Sequence, residues 1–329
     1  MSQGAQRRRW AQAARNPEGA RGLRPHAALG LVPDVPASHS SARLACDRRS
    51  LARDPRDFYH GLLKLEVVKP TTLNIDGLLF DLDGTITQGG EAIPGAAAAL
   101  ARLRGAGVPF LFVTNTTRRP RSEIVAELIG VGIEAAEEEC LTAPMAAATW
   151  LRQRGAQRIS LLVDPATQVE YQAFEIDNEH PEYVLLGDLG DKWSYSILDS
   201  AFRAIMSGAE LVAIQRNRYW KKGDHLSLDA GPFVAALEYA TGKKAHLVGK
   251  PSSDFFFAAT TRLDLSPRAV AMVGDDVESD VAGAREAGLR AVAVRTGKFR
   301  PADEQRGRQV ADAMLDSIAD LPRWLGLET

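Results

Sequence analysis

The sequence predicts an α/β protein: a doubly wound (Rossmannoid) parallel sheet with a second, inserted α/β module. Three observations carry this. From Ile75 onward, strand-sized apolar runs alternate with helical segments of ten or so residues. Those runs are continuously apolar, as strands covered on both faces require. The rhythm also changes for about eighty residues in mid-chain and then resumes.

In order, Gly77–Asp81 (GLLFD) reads as a short buried strand ending in acid. A helix is expected from Pro94 to Arg104, with proline in its first turn and Gly105 at its end. Val108–Thr114 is the next strand, Arg121–Ile129 the next helix, and Thr142 the N-cap of another that carries Pro144 in its first turn. Ile159–Val163 follows as a strand. The middle block has its own strands, Tyr183–Leu186 and Leu211–Ile214, and helices, Tyr195–Met206 and Pro232–Tyr239, on which Phe202 and Ile205 read as core. The first rhythm returns with strands at Ala245–Val248, Ala269–Val273 and Arg290–Val294, separated by helices at Ser253–Arg262 and Ser279–Ala287.

Composition narrows the class. At 329 residues the chain suits two domains, and 45% hydrophobic with 25% charged residues is ordinary for a globular protein. No run approaches the roughly 18 to 20 apolar residues of a membrane span. Two cysteines, Cys46 and Cys140, make a disulfide framework improbable and a reducing cytoplasm the natural setting. The net charge of −2 hides an asymmetry: residues 1–70 carry +7 and the rest −9. So acidic a globular part is a poor nucleic-acid binder. Residues 1–70, rich in Arg, Ala and Pro, read as an extension without fold periodicity: an organelle transit peptide, a basic arm, or a tail without function.

Ligands of doubly wound sheets bind beyond the carboxyl ends of the strands. There the chain places Asp81-Leu82-Asp83-Gly84-Thr85, Thr114-Asn115-Thr116-Thr117, Gly249-Lys250-Pro251 and Gly274-Asp275-Asp276, with Ser279 and Asp280 just beyond. Singly, each has an ordinary structural reading: an Asx turn, an N-cap cluster, a solvated lysine, acids at a helix start. Jointly they suit a magnesium ion, held by hard carboxylate oxygens, beside a phosphoryl group met by one ammonium and several donors. A calcium loop fails, since position twelve is Ala92. No phosphate-binding Gly-x4-Gly-Lys-Ser/Thr loop and no zinc-like histidine spacing occurs.

This combination resembles the haloacid dehalogenase superfamily, over about 250 residues from Asn74. Within it the chain is most similar to the NagD-like branch with the type IIA cap, and there to the phospholysine–phosphohistidine–pyrophosphate phosphatases and their domain-containing relatives. The segments that carry the resemblance are FDLDGT, FVTNTT, RNRYWKK, GPFVAALEYATGKKAHLVGKPS, MVGDD and VRTGKFRPADE. It implies that Asp81 is a nucleophile forming an aspartyl-phosphate and Asp83 the general acid and then base. It implies that Thr114, helped by Asn115, binds phosphoryl oxygens and that Lys250 neutralises charge and holds Asp81. Magnesium would be held by the Asp81 carboxylate, the Asp83 carbonyl and Asp275, with Asp276 and Asp280 behind them.

Thirty-three positions separate Asp81 from Thr114, too few for a lid, whereas 136 separate Thr114 from Lys250. The expected division is therefore a core of residues 71–164 and 245–329 with a cap of 165–244. Within the cap, Arg216, Asn217, Arg218, Tyr219 and Asp229 are the candidates for touching substrate, the arginines suiting an anion and the aromatic a planar group. The expected activity is hydrolysis of a small phosphomonoester, phosphoamide or pyrophosphate. The alternatives are a nucleotide- or sugar-phosphate phosphatase or phosphotransferase of the NagD type, and a non-catalytic binding protein on this fold. A homodimer through the cap is the expected assembly.

Overall fold

The first strand, Gly77–Asp81, is buried along its whole length because it lies in the middle of a six-stranded parallel sheet. The order across that sheet is Ala313–Leu315, Arg290–Val294, Val270–Gly274, Gly77–Asp81, Phe110–Thr114, Cys140–Thr142. Winding starts at the centre, runs two strands one way and then three the other, so the direction reverses between Gly77–Asp81 and Val270–Gly274. At such a switch point the two loops part and leave a crevice. The register pairs Phe80 with Val273, so Asp81 and Asp275 leave adjacent strands at nearly one level. This is a computed structural model describing residues 74–222 and 225–327. The readings of residues 1–70 lie outside the described residues.

A second parallel sheet has the order His246–Leu247, Glu210–Ala213, Tyr183–Leu186, Arg158–Leu162, Glu175–Ile176. It too is doubly wound, reversing between Arg158–Leu162 and Tyr183–Leu186. Here the strand placement departs from the sequence reading. The strands expected at Ile159–Val163 and Ala245–Val248, assigned to the core, pair in this second sheet instead. The second sheet thus reaches past the expected bounds of 165–244 at both ends. Apolar periodicity announces a strand but carries no information on its partner.

Side-chain alternation along these strands decides what covers each face. Val184 and Leu186 point to helices Tyr195–Met206 and Ala230–Thr241, whose Ala201, Ile205, Val234 and Leu237 complete one apolar cluster. Leu185, between them, points the other way, into a cluster shared with Trp150 and Leu151 of helix Ala143–Gln153 and with Leu111 and Val113 of the first sheet. That helix begins where predicted, the Thr142 hydroxyl accepting the Met145 N–H at 3.4 Å. One continuous apolar cluster therefore joins the two sheets. No helix among the described residues is long and apolar enough to cross a membrane.

The shared cluster predicts one cooperative unfolding transition for both sheets. Denaturation followed by tryptophan fluorescence and by far-ultraviolet circular dichroism should give coincident midpoints. Two separated transitions would show that the second sheet holds a core of its own. Trp150→Ala should cost about 3 to 5 kcal/mol.

Candidate functional site

Asp81 ends the first strand, and the backbone then folds tightly on itself. The amides of Thr85, Ile86 and Thr87 all donate to the Leu82 carbonyl at 2.9–3.2 Å, and Gly84 N–H donates to the Thr87 carbonyl at 2.6 Å. The turn buries Asp81 and turns Asp83 outward into an open cavity of about 790 Å³. Burial and then the Asp81 carboxylate raise the Asp83 pKa against the lowering influence of Arg119 and Lys298. Asp83 therefore keeps a proton more readily than a solvated aspartate does.

Lys250 reaches the site from the second sheet. Past its edge strand the chain keeps pairing, Val248 and Gly249 donating to the Ala213 and Ile214 carbonyls, and then crosses to the first sheet. The ammonium is buried at 2.6 Å from Asp81 Oδ1 and 2.8 Å from Asp280 Oδ1. Burial alone would lower its pKa, but Asp280 and Asp81 outweigh this and hold it above the usual lysine range. The Asn115 side chain clamps the Lys250 backbone from both sides, its Oδ1 accepting the N–H and its Nδ2 donating to the carbonyl, each at 2.9 Å. Asn115, expected to help bind phosphate, lines the cavity, and its side-chain amide places the lysine. Thr114 is buried at the cavity floor with its hydroxyl 3.0 Å from that of Thr116.

Asp275 is gripped by a strap that follows strand Arg290–Val294. Lys298 N–H donates to Asp275 Oδ2 at 2.5 Å, and the Thr296 hydroxyl donates to the Gly84 carbonyl. Gly84 (φ 101°) and Gly297 (φ 61°) face each other across Asp275, where a Cβ on either would fall within 2.1 Å of Oδ2. The other oxygen, Oδ1, is buried without a hydrogen-bond partner among the described residues. Asp276 instead caps the wide helical turn Val277–Ala282, its Oδ1 accepting the Glu278 and Ser279 amides. Asp280, expected behind the metal ligands, is paired to Lys250.

The carboxylates of Asp81, Asp275 and Asp280 offer oxygens within 4.8 Å of one another. Burial first, then their mutual repulsion, pushes Asp275 up, and burial and Asp81 push Asp280 up despite Lys250. A divalent cation would remove the repulsion and satisfy the orphaned Asp275 Oδ1. Oxygen-only donors suit magnesium, calcium or manganese rather than softer metals. The residues present therefore fit a hard cation.

The opposite wall of the cavity comes from the carboxyl end of the second sheet, with Asp164, Asp188, Gln215, Asn217 and Asp229. Each of its three acids also has a structural task. Asp164, Asp188 and Asp229 accept the Ala166, Gly190 and Ala230 amides at 2.9, 2.7 and 2.7 Å. Asp188 in addition lies 3.5 Å from Arg118. Of the predicted substrate residues, Asn217 and Asp229 line this cavity, while Arg218 and Tyr219 line an adjoining one. Arg216 lines neither; it makes a two-pronged pair with Glu238, at 2.7 and 3.2 Å, on helix Ala230–Thr241.

Sequence reasoning missed Thr296, Lys298, Arg118, Arg119 and Gln215. Thr296 and Lys298 lie inside a segment that carries the resemblance, VRTGKFRPADE, which was the available signal. Arg118, Arg119 and Gln215 carry no motif; loop closure brings them to the cavity.

A family model described as haloacid dehalogenase-like hydrolase matches residues 78–177, and a second, HAD-hydrolase-like, matches residues 247–321. The human phospholysine phosphohistidine inorganic pyrophosphate phosphatase is 37% identical over 259 residues, 78% of this chain and 94% of that protein. The human haloacid dehalogenase-like hydrolase domain-containing protein 2 is 40% identical over 232 residues, 70% of this chain and 88% of that protein. Among solved structures, a 4-nitrophenylphosphatase from Thermotoga maritima superposes with a TM-score of 0.71 at 27% identity, covering 76% of this chain and 97% of its own. NagD from E. coli superposes at 0.70 with 24% identity, covering 75% and 98%, a likeness of fold alone.

The strap predicts a metal phenotype. Gly297→Ala, first checked for native circular dichroism, should weaken magnesium binding by about tenfold or more, because residues that orient a ligand carry that much affinity. Calorimetric titration measures it, and unchanged affinity would show that Asp275 needs no such grip.

Proposed function

The chain belongs to the haloacid dehalogenase-like hydrolase family, and on that premise we propose that it is a magnesium-dependent phosphatase working through an aspartyl-phosphate on Asp81. The observation that carries this is the pairing at the first strand's end. Asp81 is held by a buried ammonium at 2.6 Å, and Asp83, two residues on, opens into the same cavity with a raised pKa.

Lys250 holds Asp81 Oδ1 at 2.6 Å, which leaves Oδ2 to attack phosphorus. As the Oδ2–P bond forms, the bond from phosphorus to the leaving group breaks, and Asp83 passes its proton to the departing atom. Asp83, now ionised, then takes a proton from water as that water's oxygen bonds to phosphorus. The Oδ2–P bond breaks, which returns free Asp81 and inorganic phosphate. Thr114 supplies a hydroxyl to the phosphoryl oxygens. Asp81, Asp275 and the Asp83 carbonyl would hold the magnesium ion, which when bound offsets the negative charge gathered where the phosphoryl group transfers. The second sheet's carboxyl end forms the wall of the cavity that faces these groups.

The substrate is a small phosphorylated compound. The relatives' names include phospholysine, phosphohistidine and pyrophosphate, and phosphomonoesters fit the same chemistry.

Hydrolysis of p-nitrophenyl phosphate with magnesium tests the reading. Asp81→Asn should lower kcat by about 10³-fold or more, and Asp83→Ala by about 10²- to 10⁴-fold. A chelator should abolish turnover and added magnesium restore it. Retained activity in Asp81→Asn would exclude the proposed nucleophile.

A further inference from the structure

A second cavity of about 610 Å³ lies beside the first, and Asn217, Asp276 and Lys298 line both. The shared wall makes the two adjoining compartments of one mouth. The outer wall of the second is the two-stranded ribbon Tyr219–Lys222 with His225–Leu228. Its register sets Tyr219 opposite Leu228, so Tyr219, Leu228 and Leu226 share one face. Tyr219 and Leu226 are 55% and 65% exposed, and both line the cavity. The ribbon therefore turns an uncovered aromatic and aliphatic surface toward the compartment rather than into a core.

The cations around this compartment differ in how they are held. Arg300 lies 3.3 Å from Asp303, Arg306 2.9 Å from Glu278, and Lys298 3.8 Å from Asp276. Arg216, two residues before Arg218, is tied to Glu238. Arg218 has no side-chain hydrogen bond or ion pair among the described residues. An unmatched guanidinium beside an uncovered aromatic and a leucine is a receptor for a planar or apolar body that ends in an anion.

We propose that this compartment receives the far end of the leaving group, and that it selects phosphorylated compounds whose aromatic or apolar body ends in a carboxylate or second phosphate. Tyr219 and Leu226 contact the body, and Arg218 pairs with the terminal anion. Arg218 is thus a specificity residue, remote from the bonds that break. The proposal rests on the phosphatase reading and adds the shape and charge of the leaving group.

Two matched pairs of probes differ only by a carboxylate: phenyl phosphate with 4-carboxyphenyl phosphate, and O-phosphotyramine with O-phosphotyrosine. In at least one pair the unaltered protein should prefer the carboxylated member in kcat/KM by about tenfold, the scale of a charge-assisted hydrogen bond. Arg218→Ala should erase that preference through KM, with kcat retained, and leave phenyl phosphate within about twofold. Arg218→Lys should restore part of it, and added salt should shrink it. Absence of any preference in both pairs, or a preference that survives Arg218→Ala, overturns the proposal. If phenyl phosphate is not hydrolysed, or is hydrolysed equally by Asp81→Asn, the phosphatase reading fails and this inference with it.

Discussion

Asp81, Asp275 and Asp280 bring carboxylate oxygens within 4.8 Å of one another inside the protein. At an effective dielectric of about 20, two unit charges at that distance repel by about 3.5 kcal/mol. Protonation or positive charge placed among its members relieves such a cluster. Lys250 supplies one charge, fully buried and touching two of the three acids. It leaves Asp275 unmatched, with one oxygen pinned by the Lys298 amide and the other without a partner. A hard cation would offset the repulsion that remains, and Asp275 Oδ1 is the oxygen placed to meet it.

Meeting that constraint engages most of the architecture. Lys250 must arrive from the side of the first sheet that Asp81 and Asp280 face, and no strand of that sheet delivers it. The second sheet does, through its edge strand, and the Asn115 amide then fixes the lysine backbone against the loop after Phe110–Thr114. Insertion of the second module is thus more than the addition of a lid. It supplies the path by which the counter-ion enters, and it sets the carboxyl ends of two doubly wound sheets across one cavity. The continuous apolar cluster through Trp150 and Leu185 keeps the two sheets in register with each other. The lysine's position therefore depends on packing well away from the acids it neutralises.

Much of this was legible in the sequence because it is written locally. Strands Tyr183–Leu186 and Arg290–Val294 and helices Tyr195–Met206 and Ser253–Arg262 fall at the predicted residues, since each combines a strong apolar pattern with clear end signals. The family, too, was legible from short motifs whose order survives any loop change. What was not legible depends on pairing. Cys140–Thr142 is a three-residue strand that looks like the lead-in to a helix, and it becomes a strand only beside Phe112–Thr114. The strands expected at Ile159–Val163, in the first rhythm, and at Ala245–Val248, where that rhythm resumes, form as Arg158–Leu162 and His246–Leu247, and only the hydrogen bonds show that they belong to the other sheet. The resemblance implies that Asn115 helps bind phosphate; its further use on Lys250, 135 residues away, cannot be seen from either segment.

Arg216 and Arg218 show where that limit bears on function. They are two residues apart in one basic, aromatic stretch, and by composition they are interchangeable. The strand before them ends at Ala213, and the ribbon after them begins at Tyr219. Both therefore lie in the loop that joins sheet to ribbon, and their side chains go to different places. Arg216 meets Glu238 on the cap helix and helps hold the loop, as a bidentate pair with a buried carboxylate does. Arg218 is left beyond that contact, facing the compartment shared by cap and core. A charge that already has a partner gives little to a ligand, because binding must first break the pair. A charge without one is available at no such cost. On the proposed reading, recognition of the substrate's far end falls to the arginine the fold does not use, and the cap could vary that choice without touching the carboxylates and lysine of the proposed reactive centre.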